Sequence, residues 1–291
     1  MSRTAIGLLT SALLLALAPE ASRAQRLKVT LLGTGGPRPS IERFGPATLV
    51  EADGRRFLFD AGRGVSQRLW QLSIPLGEIN GVFLTHLHSD HVVGLPDLWL
   101  TGWLHSPFGR RSAPLSVWGP RGTAAMMLAL RKAYAEDIRI RTEMFAYSDS
   151  AIALVGHDVG EGVVYDRDGV KVAAFAVDHG GVKPAFGYPI HEVAVADPDY
   201  LRTFEVARRI MGLHSSPEGA GRVFDRVKPK VAVYTHVQVF AAPATQKALL
   251  ETIVPRTRTA YSGPLELGED LMTVVVGDAI KVSRPPADVP R

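Results

Sequence analysis

The 291-residue chain contains no cysteine. That absence removes disulfides, thiolate metal ligands and a lipid-anchored N-terminal cysteine from consideration. Basic runs are missing as well: 33 Lys and Arg against 29 Asp and Glu leave a net charge of +4, without the stripe that grips a nucleic-acid backbone. No repeat recurs at solenoid spacing and no low-complexity linker divides the chain, so one domain is expected. The glycine-rich turn Gly33-Thr34-Gly35-Gly36-Pro37 lacks the following Gly-Lys-Ser/Thr of a nucleotide loop. The N-terminal apolar run, Ala5 to Ala18, is too short for a bilayer, which takes roughly 20 residues. With Arg3 before it and Ser22-Arg23-Ala24 after it, this run reads as a signal peptide over residues 1–24, cleaved before Gln25. Residues 25–291 are then the mature domain. The expectation is an exported protein, periplasmic or secreted, with no membrane attachment after cleavage.

What is present is concentrated in Thr85-His86-Leu87-His88-Ser89-Asp90-His91. The apolar run Gly81-Val82-Phe83-Leu84 before it reads as a buried strand. His86 and His88 are two apart, so on extended chain their imidazoles leave the same side and can grip one ion. Asp90 and His91 follow where the chain must turn and can point to a second ion nearby. Imidazole nitrogens with a carboxylate oxygen suit zinc, with iron or manganese as other fits.

His-x-His-x-Asp-His resembles the metal-binding signature of the metallo-β-lactamase superfamily. The longer run HLHSDHVVGLPDL, His86 to Leu98, resembles its ribonuclease Z and arylsulfatase-like branch. The resemblance implies an α/β fold, a four-layer αββα sandwich with metals at the strand ends, and a zinc-dependent hydrolase with two ions. It assigns the first ion to His86, His88 and His179 and the second to Asp90, His91 and His236, with Asp90 catalytic as well as ligating. Asp60, delivered by a strand ending at Phe59, would support the metal loop as a hydrogen-bond acceptor behind the ligands. Glu192 in His191-Glu192-Val193-Ala194 would orient His214, which would protonate the leaving oxygen.

The remaining pattern is consistent with such a domain. Asp53-Gly54 and Asp168-Gly169 read as hairpin turns. Residues 65–76, 95–104, 123–135 and 244–253 read as helices, and Trp99 and Trp103, four apart on one of them, as core. Ser216-Pro217 reads as a helix start just after His214. The proline-rich tail after Ser283 reads as frayed, and Asp178 as structural.

One piece of the family pattern is missing. Relatives place a Gly-Asp-Thr element, whose aspartate bridges both metals, between the third histidine motif and the His-Glu element. Here Phe186-Gly187-Tyr188-Pro189-Ile190 runs straight into His191-Glu192. Asp197 and Asp199 sit at a helix start and suit that position better than a metal. The expectation is one well-held zinc and a weaker second, with exposed sheet edges where strands are lost. An active variant, a single-metal enzyme and an impaired deletion form all stay open.

For the substrate, the favoured reading is a small sulfate or phosphate ester, hydrolysed in the manner of an arylsulfatase or phosphodiesterase. Nucleic acid is not favoured: true ribonuclease Z holds tRNA with a protruding arm, and no basic Gly/Pro-rich insertion stands out here. The alternatives are a ribonuclease Z-like endonuclease and a non-catalytic member. A homodimer is compatible with either.

Overall fold

A computed structural model describes residues 27–177, 179, 182–187 and 191–285. The segment 1–24 read as a signal peptide, Asp178 and the tail beyond residue 285 therefore lie outside the described residues. Among the described residues no helix is long and apolar enough to cross a membrane.

The first sheet is built from β1 (Leu27–Gly33), β2 (Ala47–Ala52), β3 (Arg55–Phe59), β4 (Gly81–Phe83), β5 (Leu115–Gly119) and β6 (Leu154–Asp158). The chain's last two strands, labelled β13 (Thr273–Val276) and β14 (Ile280–Ser283), join it to give the order β14-β13-β1-β2-β3-β4-β5-β6. The tight β2–β3 hairpin turns through Asp53 at φ 47° and Gly54 at φ 73°, the left-handed pair that a two-residue turn requires. From β3 to β6 the pairing is parallel, and each parallel crossover leaves a loop at the strand ends. Leu49, Leu58, Val82 and Leu98 pack with the fully buried Trp99 and Trp103, so both tryptophans are core as their spacing indicated. The helix expected over residues 65–76 is shorter, Val65–Gln71, because Ser73 takes φ 57° and Pro75 follows it.

The second sheet is in two pieces. β7 (Gly162–Arg167), β8 (Val170–Ala176) and β9 (Phe186–Gly187) form one, and their apolar face packs on Ala52, Phe57 and Phe83 of the first sheet. β10 (His191–Ala196), β11 (Ala232–Phe240) and β12 (Leu265–Leu267) form the other, entirely parallel. Helices Pro217–Val227 and Pro243–Arg258 cover this piece, with Phe224 and Ile253 packed on Val193 and Tyr234. Helix, sheet, sheet and helix are thus the layers of the expected α/β sandwich. Among the described residues β9 pairs only with β8 and β10 only with β11. The break falls between Gly187 and His191, where the expected segment is missing.

Candidate metal centre

The site is built at the ends of β3, β4 and β8 and at a bulge within β11. After β4 the chain passes through a bend at Thr85 to His88, which at ψ 147° is extended and precedes the short helix Ser89–Val92. That geometry separates the motif into two groups of donors, as the spacing implied. Donor atoms of His86, His88 and His179 all lie within 4.8 Å of one another, and so do those of Asp90, His91 and His236. The six residues assigned to metal by resemblance are therefore brought together, in the two trios expected. His88 is the exposed member; the other five are buried.

His236 reaches its trio through a backbone irregularity. Glu192 pairs with Thr235 and Val193 with Val237, so His236 is an extra residue bulged out of β11. Its φ is 46°, a left-handed conformation that costs a non-glycine residue about 1–3 kcal/mol. The bulge re-aims the imidazole, placing Nε2 3.3 Å from Asp90 Oδ2. Asp60, at φ 61°, is held in the same region at the end of β3.

Asp60 has the supporting geometry expected of it. Its carboxylate accepts from Thr85 N at 2.8 Å, from Thr85 Oγ1 at 2.9 Å and from His91 Nδ1 at 2.7 Å. The last contact directs His91 Nε2 away from Asp60 and toward the trio. Asp60→Ala is expected to lower unfolding free energy by about 3 kcal/mol, because two or three buried donors lose their acceptor. Urea titration of the metal-free protein measures it, and a loss below about 1 kcal/mol would refute the supporting role.

The electrostatics suit cation binding. Burial, with the imidazoles of His91, His179, His88 and His236, pushes the His86 pKa down to about 2, so this ring stays neutral with a lone pair to give. Burial likewise lowers the pKa of His179 and of His236. For His91 burial is outweighed by the charge and hydrogen bond of Asp60, and its pKa rises. Burial also opposes ionisation of Asp90, yet the hydrogen bond from His236 and the charge of His91 hold its carboxyl well below the usual range. Three imidazoles in one trio and two imidazoles with a carboxylate in the other form donor sets that fit a borderline divalent cation.

Glu192, on β10, accepts from His214 Nδ1 at 2.5 Å, which is the pairing expected of these two residues. His214 precedes the helix Pro217–Val227, whose first turn is capped by Ser216 Oγ accepting from Gly219 N at 3.1 Å. Burial raises the Glu192 pKa, but the hydrogen bond and charge of His214 together with the charges of His236 and His179 outweigh it, so the carboxyl titrates below its usual range. Asp197 takes no part: its carboxylate caps the helix Pro198–Thr203, accepting from Asp199 N at 2.7 Å.

A cleft of about 560 Å³ opens onto both trios. Phe59 of β3, Phe175 of β8, Phe186 of β9 and Phe224 and Val233 from the β11 piece form its apolar walls. It therefore lies between the two pieces of the broken sheet.

Sequence reasoning missed the node that anchors the glycine-rich turn. Asp270 accepts from Thr34 N and Oγ1, Phe44 N and the guanidinium of Arg68, and the Arg68 and Asp270 side chains are 1% and 2% exposed. Gly36 packs so closely on Gln238 that a Cβ there would stand 1.6 Å from its amide nitrogen. Thr34 O in turn accepts from Val237 N at 2.8 Å, next to the His236 bulge. The turn is a brace for β11. No local signal marks Asp270, which is 236 positions from Thr34.

Comparisons with known proteins bear on this arrangement. A family profile described as Anti-Pycsar protein Apyc1 matches residues 27–110, from β1 through the metal loop, which is less than half of the chain. A ribonuclease Z of Mycobacterium marinum is 34% identical over 280 residues, covering 86% of this chain and 99% of its own. Since 86% of 291 residues is about 250, about thirty of those 280 aligned positions have no counterpart here, a deficit of the size a missing strand and its connections would leave. Two solved structures share the fold. The metallo-β-lactamase fold protein YhfI from Bacillus subtilis has a TM-score of 0.60 at 14% identity, covering 87% of this chain and 100% of its own. Zn(2+)-bound PqqB from Methylobacterium extorquens has a TM-score of 0.54 at 14% identity, covering 84% and 99%.

These relatives correct two expectations. The reading that set nucleic acid aside for a small-molecule ester does not stand, because a relative aligned over nearly its whole length is named as a ribonuclease. Mild net charge was a weak ground for it, since charge balance over a whole chain says little about one cleft. The expectation of a periplasmic or secreted protein falls with it: the relative's named substrate class is RNA, and the run that suggested export lies outside the described residues.

Proposed function

Because the chain belongs to the ribonuclease Z family of metallo-β-lactamase-fold hydrolases, we propose that it hydrolyses phosphodiester bonds in RNA with the aid of zinc. The observation that carries the reading is the pair of three-donor groups, His86/His88/His179 and Asp90/His91/His236, each contributing two histidines to the lining of one cleft. Zinc is favoured by these histidine and carboxylate donors and by the zinc-bound neighbour of the same fold. When bound, it supplies Lewis-acid polarisation of a phosphoryl oxygen and a nucleophile available at neutral pH. Asp90, kept ionised, contributes the anionic donor and is counted with the catalytic residues. Asp60 fixes the ring of His91. Glu192 holds His214 by Nδ1, leaving the other ring nitrogen to carry a proton to the departing oxygen. Of the small sulfate and phosphate esters favoured from sequence, the aryl sulfates become the comparison class.

The test is a cleavage assay on a 3′-extended precursor tRNA, beside bis(nitrophenyl) phosphate and nitrophenyl sulfate. RNA and the phosphodiester should be cleaved, chelation should stop both, and His214→Ala should slow RNA cleavage roughly 10²–10⁴-fold. Turnover of the sulfate alone would overturn the RNA reading. Absence of any turnover from zinc-loaded protein would instead support the non-catalytic alternative.

A further inference from the structure

The two trios do not carry equal charge. His86, His88 and His179 bring no carboxylate, and Asp90 is the only one in the second trio. Two divalent cations side by side would face a single protein anion, and their mutual repulsion would favour leaving one position empty. In the family the missing segment would bring the aspartate between them. Asp197 is occupied as a helix cap, and Asp60 stands behind His91, with a histidine contact to the second trio alone.

Glu192 has the right placement instead. One of its oxygens lies within 4.8 Å of donor atoms of both His179 and His214. Glu192 Oε2 is also 3.6 Å from Nδ1 of His236, a buried nitrogen with no hydrogen-bond partner among the described residues. The carboxylate thus touches the surroundings of His179, from the first trio, and of His236, from the second. Its charge is felt at His179 and at both imidazoles of the second trio, His91 and His236. Asp90 and Asp60 act mainly on the second trio.

We propose that Glu192, in reach of a histidine from each trio, supplies the negative charge that the missing segment would otherwise bring, so that filling the second position depends on it. This goes beyond orienting His214 and rests on the reading of the two trios as metal positions. Glu192 is written here as a charge-compensating residue, with no bond to either ion assumed.

Zinc titration of the chelator-treated full chain, followed by calorimetry and by elemental analysis after desalting, separates the two roles. Glu192→Gln keeps an oxygen that can accept from His214 but removes the charge. His214→Ala removes the partner and keeps the charge. The expected result is two zinc per chain for the native protein and for His214→Ala. Glu192→Gln should bind its second zinc roughly 10–100-fold more weakly and retain one after desalting. Far-ultraviolet circular dichroism of the metal-free variants checks that each is folded, and Glu192→Asp provides a second, charge-retaining comparison if Glu192→Gln is not. Two zinc bound equally well by Glu192→Gln, an equal loss in His214→Ala, or no more than one zinc in the native chain would each overturn the proposal. The readout is independent of RNA cleavage: a native chain with two Glu192-dependent ions that leaves RNA intact would refute the proposed substrate and leave this inference standing.

Discussion

Asp270→Ala is expected to lower the free energy of unfolding by about 4 kcal/mol, the range found when one partner of a buried ion pair is removed. The carboxylate meets the Arg68 guanidinium at 2.9 Å with both side chains almost fully buried. Without it, a desolvated cation stays in the core beside the Phe44 ring, whose centroid is 4.1 Å away. Thr34 N and Phe44 N lose their acceptor as well. The ring attracts the cation, but at a magnitude of roughly 1–2 kcal/mol it cannot replace a carboxylate. Equilibrium denaturation of the metal-free protein measures the loss. Arg68→Met with Asp270→Leu provides the contrast: removing both charges should recover much of it, because the cost lies in the unpaired charge. A single variant within about 1 kcal/mol of the native protein would show that the node does not anchor the turn.

The second large effect concerns activity rather than folding. Asp90→Ala should reduce phosphodiester turnover at least about 10³-fold, equivalent to about 4 kcal/mol of transition-state stabilisation. It removes the single anionic donor of its trio, leaving His91 and His236, and withdraws the acceptor 3.3 Å from His236 Nε2. Zinc content should fall together with turnover. Stability of the metal-free protein should change far less than in Asp270→Ala, because Asp90 satisfies no backbone group among its described hydrogen bonds to other residues. Turnover within tenfold of native would remove Asp90 from the catalytic group. The two substitutions thus separate the brace from the chemistry: one should weaken the scaffold, and the other should disarm an intact one.

Much of the site was legible because its donors are local or punctuate apolar strands. His86, His88, Asp90 and His91 lie within one short stretch whose spacing alone separates two donor directions. His179 and His236 follow apolar segments that read as strands, although their roles came from a family resemblance rather than from any periodicity. The Asp53-Gly54 turn, the Ser216 cap and the buried tryptophans are likewise local or periodic features, set by backbone preference and apolar spacing. The absence of an aspartate-bearing segment before His191 was also visible in the order of the residues.

Tertiary structure decided what no local pattern carries. The bulge that turns His236 toward Asp90 arises from pairing between β10 and β11, which are joined in sequence only through a long intervening stretch. The brace from Asp270 to Thr34 spans nearly the whole chain, and burial makes its charge pair consequential. The split of the second sheet, and the apolar cleft within it, follow because strands on either side of the missing segment keep their own partners. The position of Glu192 between His179 and His236 is of the same kind. A carboxylate's charge acts through distance and burial, and both are properties of the fold rather than of spacing along the chain.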